Sequence, residues 1–123
     1  MTVVVDTNIV IDVLRQRALA IQFLNGLREP PRISVVTVAE LYAGARSVRE
    51  ERHIDAILNS SRVEIVNQEI AQTAGQFLKH YQASNGLDEM DAFVAATAKH
   101  LDLKLATLNV KHFPMFPKLK PPY

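Results

Sequence analysis

Val3, Val4 and Val5 form an unbroken β-branched run, the pattern of a strand covered on both faces of a parallel sheet rather than on one. Comparable short runs recur at Ile33 to Val36, Val63 to Val66 and Leu103 to Ala106. Between them the apolar positions shift to helical spacing, through Ala20, Phe23, Leu24 and Leu27, then Val38, Leu41, Tyr42 and Ala45. Two longer stripes follow. One passes through Ile70, Thr73, Ala74, Phe77, Leu78 and Tyr81, the other through Met90, Phe93, Val94, Thr97, Ala98 and Leu101. Breaks fall at Pro30-Pro31, at Asn85-Gly86 and in the Pro-rich end from Pro114. Strands alternating with helices predict an α/β fold in which residues 1–123 form a single three-layer domain. Its central parallel sheet has four or five strands, with helices on both faces.

With 48% hydrophobic and 22% charged residues the chain has the composition of an ordinary globular domain. It has no cysteine, which excludes disulfide staples, thiolate zinc sites and a cysteine nucleophile. Asp6 stands where a secretory signal would need a basic segment and an apolar run. No uncharged stretch approaches the ~18 residues of a membrane span. The expected location is the cytoplasm, with no membrane partner. The net charge of +1 selects no class of ligand, but its distribution is uneven. All eight arginines lie between Arg15 and Arg62, and residues 99–123 carry five lysines against one acid, Asp102.

The chemistry resides in acids placed beside apolar segments. Asp6 ends the first strand, Glu40 is expected in the first turn of the helix after the second strand, Asp88 and Asp91 open the last long helix, and Asn109 follows the last strand. Each has a local explanation. Thr37 and Glu40 have the spacing of a capping box, Asp88 and Asp91 can cap their helix, and Asp6 can form an Asx turn. Collectively they mean more, because a parallel α/β layout sends all these positions to one edge of the sheet, where such folds bind ligands. Carboxylates gathered there without a local Arg or Lys repel one another and raise each other's pKa unless a cation is present. A hard divalent ion, Mg2+ or Mn2+, meets that need.

Taken in order, VVVDTNIVIDVL, ISVVTVAELYAGA, DAFVAATA and LATLNVKHF resemble a PIN domain, specifically the VapC-type toxin ribonucleases of bacterial toxin-antitoxin pairs, across essentially the whole chain. The resemblance implies that Asp6, Glu40 and Asp91 are metal-binding acids and that Asn109 occupies the fourth catalytic position, uncharged here. It makes Thr7 and Thr107 site-lining hydroxyls, with satisfying backbone groups as the alternative; Asp88 matches no ligand position of the family and is read as an N-cap, with an auxiliary ligand as the alternative. His112 stands where many relatives carry an acid, and Leu108 replaces a frequent Arg. The implied activity is Mg2+- or Mn2+-dependent hydrolysis of RNA, in a homodimer inhibited by a VapB-type antitoxin. The apolar stripes offer Val10, Leu14, Leu24 and Tyr42 to an amphipathic antitoxin segment, with core packing as the alternative. Arg15, Arg46 and Lys111 are candidates for phosphate contacts. Phe113 and Phe116 are read as closing the core, with base stacking as the alternative.

Three other functions fit less of the sequence. Metal-independent cleavage would need paired histidines, and His53, His80, His100 and His112 show no pairing. A phosphoacceptor domain would need an acidic pair after the first strand, where Thr7 and Asn8 stand. The alternative reading, a catalytically weak PIN-like domain that binds RNA or protein, is compatible with Asn109, while retention of Asp6, Glu40 and Asp91 argues against it.

Overall fold

The computed structural model describes residues 2–123. Four strands, β1 (Val3–Val5), β2 (Arg32–Ser34), β3 (Arg62–Glu64) and β4 (Lys104–Ala106), form one parallel sheet in the order β3-β2-β1-β4. The register pairs Val4 with Leu105 and Val5 with Ala106 on one side, and Val4 with Arg32 on the other. Helices α1 (Thr7–Leu14) and α2 (Ala18–Asn25) follow β1, and α3 (Val35–Gly44) and α4 (Val48–Asn59) follow β2. Then α5 (Gln68–Asn85) and α6 (Glu89–Leu101) join β3 to β4, and a 3-10 turn, Val110–His112, follows β4.

Side-chain alternation along the strands divides the interior in two. Val4 and Leu105 point into a cluster with Ala74, Leu87, Val94 and Phe113, beneath α5 and α6. Val5, Ile33 and Ala106 point into the opposite cluster with Ile9, Val10, Leu41 and Ile54, beneath α1, α3 and α4. Both faces of the central strand β1 are therefore covered, which is why it reads as a continuous apolar run; the expected run from Val63 to Val66 is corrected at the sheet edge, where β3 ends at Glu64 and Val63 and Ile65 are 41% and 73% exposed. Phe113 is fully buried, Phe116 packs beside it with the Lys99 ammonium 4.5 Å from its ring centroid, and these aromatics close the core. Among the described residues no helix is long and apolar enough to cross a membrane.

Two further expectations need correction. The apolar run from Ile33 to Val36 is not one strand: it is cut at Ser34, whose hydroxyl accepts from the Val36 amide at 3.3 Å and caps α3. Thr37 and Glu40 consequently form no capping box, and Glu40 sits in the second turn. Periodicity cannot reveal this break, because Val35 and Val36 suit a strand as well as a helix start. Ser34→Ala should cost about 1 kcal/mol in a urea or thermal melt, the usual loss for an N-cap. The segment Thr7 to Leu14, rich in β-branched residues, is a helix that the pattern does not announce. Its Asp6 cap and the complete burial of Ile9 and Val10 outweigh propensity.

Candidate active site

With β2 on one side of β1 and β4 on the other, the sheet order reverses between β1 and β4, and the crevice beyond their C-terminal ends is the topological switch point. Asp6 and Thr107 are the first residues past those two strands, and the Asp6 amide still donates to the Ala106 carbonyl at 2.9 Å. Asp6 is 5% exposed, and its carboxylate is held at both oxygens. Oδ1 accepts from the Thr7 amide at 2.8 Å, capping α1, and Oδ2 accepts from the Thr107 hydroxyl at 2.7 Å. Burial, followed by the charges of Asp91 and Glu40, lifts its pKa from 3.8 to about 6 against the lowering effect of these two hydrogen bonds.

Glu40 reaches the same place from α3. Thr7 Oγ1 lies 2.6 Å from Glu40 Oε1 and 3.0 Å from Thr37 Oγ1. A hydroxyl has one proton and a carboxylate can only accept, so Thr7 donates to Glu40 while the fully buried Thr37 donates to Thr7. The spacing of Thr37 and Glu40 thus places both beside Thr7.

Asp88 and Asp91 do form a capping box at the start of α6: Asp88 Oδ1 accepts from the Asp91 amide at 2.8 Å, and Asp91 Oδ2 accepts from the Asp88 amide at 3.4 Å. The N-cap role expected of Asp88 is observed. Asp91 does more than cap, because its Oδ2 also lies 3.1 Å from His112 Nδ1. Burial and then the Asp88 charge raise the Asp91 pKa, opposed by hydrogen bonds from the Asp88 amide and His112.

Asn109 is exposed, and its backbone amide rather than its side chain enters the network, donating to Thr107 Oγ1 at 3.0 Å. Asn8, absent from the sequence-based candidates, stands 3.4 Å from the same hydroxyl through Nδ2 and accepts from the Leu108 amide at 3.5 Å. Its partners lie about a hundred positions away, beyond any local pattern. Arg15 and Arg46 line a cavity of about 180 Å³ with Leu14 and Glu40, and Arg46 is also 3.8 Å from Glu50. Lys111 is exposed beside His112, and its carbonyl accepts from Asn85 Nδ2 at 3.2 Å. Val10 is fully buried and cannot line a surface groove, which corrects its place among the groove candidates. Leu24 lines a separate cavity, and Tyr42 is 37% exposed.

Among the described residues no three His, Asp or Glu side chains form a ready-made ion cage. The donor set nonetheless fits a hard divalent cation. It is made of carboxylate oxygens, Asp6 feels the charges of both Asp91 and Glu40, and among the described residues no Lys or Arg pairs with any of the three. A cation would relieve the upward pressure on Asp6 and Asp91.

The chain has relatives among known proteins. The chain is 43% identical to Ribonuclease VapC10 of Mycobacterium tuberculosis over 124 residues, covering 98% of this chain and 92% of that protein. It is 37% identical to Ribonuclease VapC19 of the same organism over 123 residues, covering 97% and 98% respectively. A toxin-antitoxin complex from Klebsiella pneumoniae superposes with a TM-score of 0.85 at 30% identity, covering 100% of this chain and 98% of that one. Because residues 3–116, nearly its whole length, match the PIN domain, this chain belongs to the PIN domain family.

Proposed function

We propose that the chain hydrolyses RNA phosphodiester bonds with Mg2+ or Mn2+ held by Asp6, Glu40 and Asp91. It is a PIN-domain ribonuclease toxin of the VapC type, inhibited by a VapB-type antitoxin. The observation that carries the reaction is its 43% identity to a named ribonuclease along 98% of the chain. The buried Asp6 and the half-buried Glu40 and Asp91, whose charges act on it at the switch point of the sheet, support the site.

When bound, the divalent ion supplies a Lewis acid that offsets the charge developing on the phosphate. Asp6 and Asp91 would hold it directly and Glu40 through a water, the carboxylates of Asp6 and Asp91 being already oriented by hydrogen bonds. Thr107 and the Thr7 amide fix Asp6, and Thr7 Oγ1 turns Glu40 Oε1 inward. Glu40 would orient the attacking water toward phosphorus. Asn109 adds no charge at the fourth position, and its amide instead steadies Thr107. Arg15, Arg46 and Lys111 contact flanking phosphates. The antitoxin segment enters the cavity bounded by Leu14 and Glu40, so that an inhibitor seated there also covers one of the acids. The protein works as a homodimer in the cytoplasm, where its RNA is.

Purified protein incubated with cellular RNA should produce discrete cleavage products with Mn2+ and none with excess EDTA. Co-purified antitoxin should suppress them. Undiminished cleavage in EDTA would refute the metal reading. Antitoxin binding without cleavage under any metal condition would favour a binding module.

A further inference from the structure

We propose that His112 is a positioning residue that sets the orientation of the Asp91 carboxylate toward the ion; this rests on the reading of Asp91 as a metal ligand. His112 Nδ1 lies 3.1 Å from Asp91 Oδ2, and an ionised carboxylate can only accept, so Nδ1 carries the proton and donates. The Asp88 amide approaches the same oxygen at 3.4 Å. Both donors therefore fall on Oδ2, fixing the rotation of the carboxylate and leaving Oδ1 as the oxygen available to an ion.

The ring is itself held from several sides. The Asn85 side chain clasps the Lys111 carbonyl at 3.2 Å, and the fully buried Phe113 anchors the next position. Gly86, at φ 69°, brings the turn between α5 and α6 against the imidazole, where an added Cβ would stand 3.7 Å from Nε2. The turn after β4 thus reaches across to the N-terminus of α6. A donor placed this way orients a metal-binding carboxylate from behind, and outer partners of this kind commonly contribute 10- to 100-fold to metal affinity.

The test measures thermal stabilisation of the full chain by Mn2+ alone. His112→Leu keeps a side chain against Gly86 but removes the donor, whereas His112→Asn keeps an N–H donor close to the Nδ1 position. The Mn2+ concentration for half-maximal stabilisation should rise roughly 10- to 100-fold in His112→Leu and stay within about 3-fold of wild type in His112→Asn. If both variants melt lower in EDTA but keep the wild-type Mn2+ midpoint, His112 merely fastens the turn and the proposal is overturned. Asp91→Asn is measured in parallel. An unchanged Mn2+ response there would remove Asp91 as a ligand, and the proposal with it, which separates failure of the site reading from failure of the positioning role.

Discussion

Asp91→Asn is expected to slow RNA cleavage by on the order of 10³-fold, equivalent to roughly 4 kcal/mol of lost transition-state stabilisation. Asn is nearly isosteric with Asp, and its side-chain oxygen can still accept from the Asp88 amide or from His112, so the start of α6 should survive. What disappears is one negative charge at a partly buried position already under electrostatic pressure. The loss should fall on ion affinity and on the chemical step, not on folding. Single-turnover cleavage at saturating Mn2+, with a thermal melt of the same sample, separates the two. Activity within tenfold of wild type would exclude Asp91 from the machinery.

The second expectation concerns stability against pH. The pKa of Asp6 rises from 3.8 when unfolded to about 6 when folded. Between these values the folded protein retains a proton that the unfolded chain has released, so stability falls as pH rises and levels off above about pH 6. For a carboxylate this buried, the metal-free protein should lose on the order of 3 kcal/mol from this group between about pH 4 and pH 7. Asp6→Asn abolishes that slope. It cannot recover the whole amount, because an amide offers one acceptor oxygen where Asp6 uses two. A net gain of about 1 kcal/mol at pH 7, reversing to a loss of about 2 kcal/mol near pH 4 where wild-type Asp6 is protonated, is the expected outcome of melts in EDTA. Millimolar Mn2+ should stabilise wild type at pH 7 and do little for the variant. Parallel pH curves and equal Mn2+ responses would remove Asp6 from the site.

The centre of the sheet was legible because β1 is buried on both sides, and runs such as Val3 to Val5 have few other uses in a chain of this size. The position of Asp6 was legible too, since it follows directly from where β1 ends. Ser34 was not, because its capping is decided by backbone geometry inside an apolar run. Glu40 is legible from its type and neighbourhood, but the Thr37-x-x-Glu40 spacing equally fits a local cap, whereas its partner is Thr7 on another helix. The bonds that orient the acids, Thr107 to Asp6 and His112 to Asp91, join residues 101 and 21 positions apart. Local spacing carries no trace of such pairs; only topology brings them together.

The placement of β4 beside β1 has a consequence for synthesis. A chain emerging N-terminus first displays Asp6, Glu40 and Asp91 before residue 104 has been added, yet Asp6 then lacks both the Thr107 hydroxyl and the neighbouring strand that seat it. Closure of the centre waits on the most sequence-distant pairing in the sheet, the slowest kind of contact to form. With Asp6 in the proposed centre, a nascent chain should stay inert until β4 has emerged and docked beside β1.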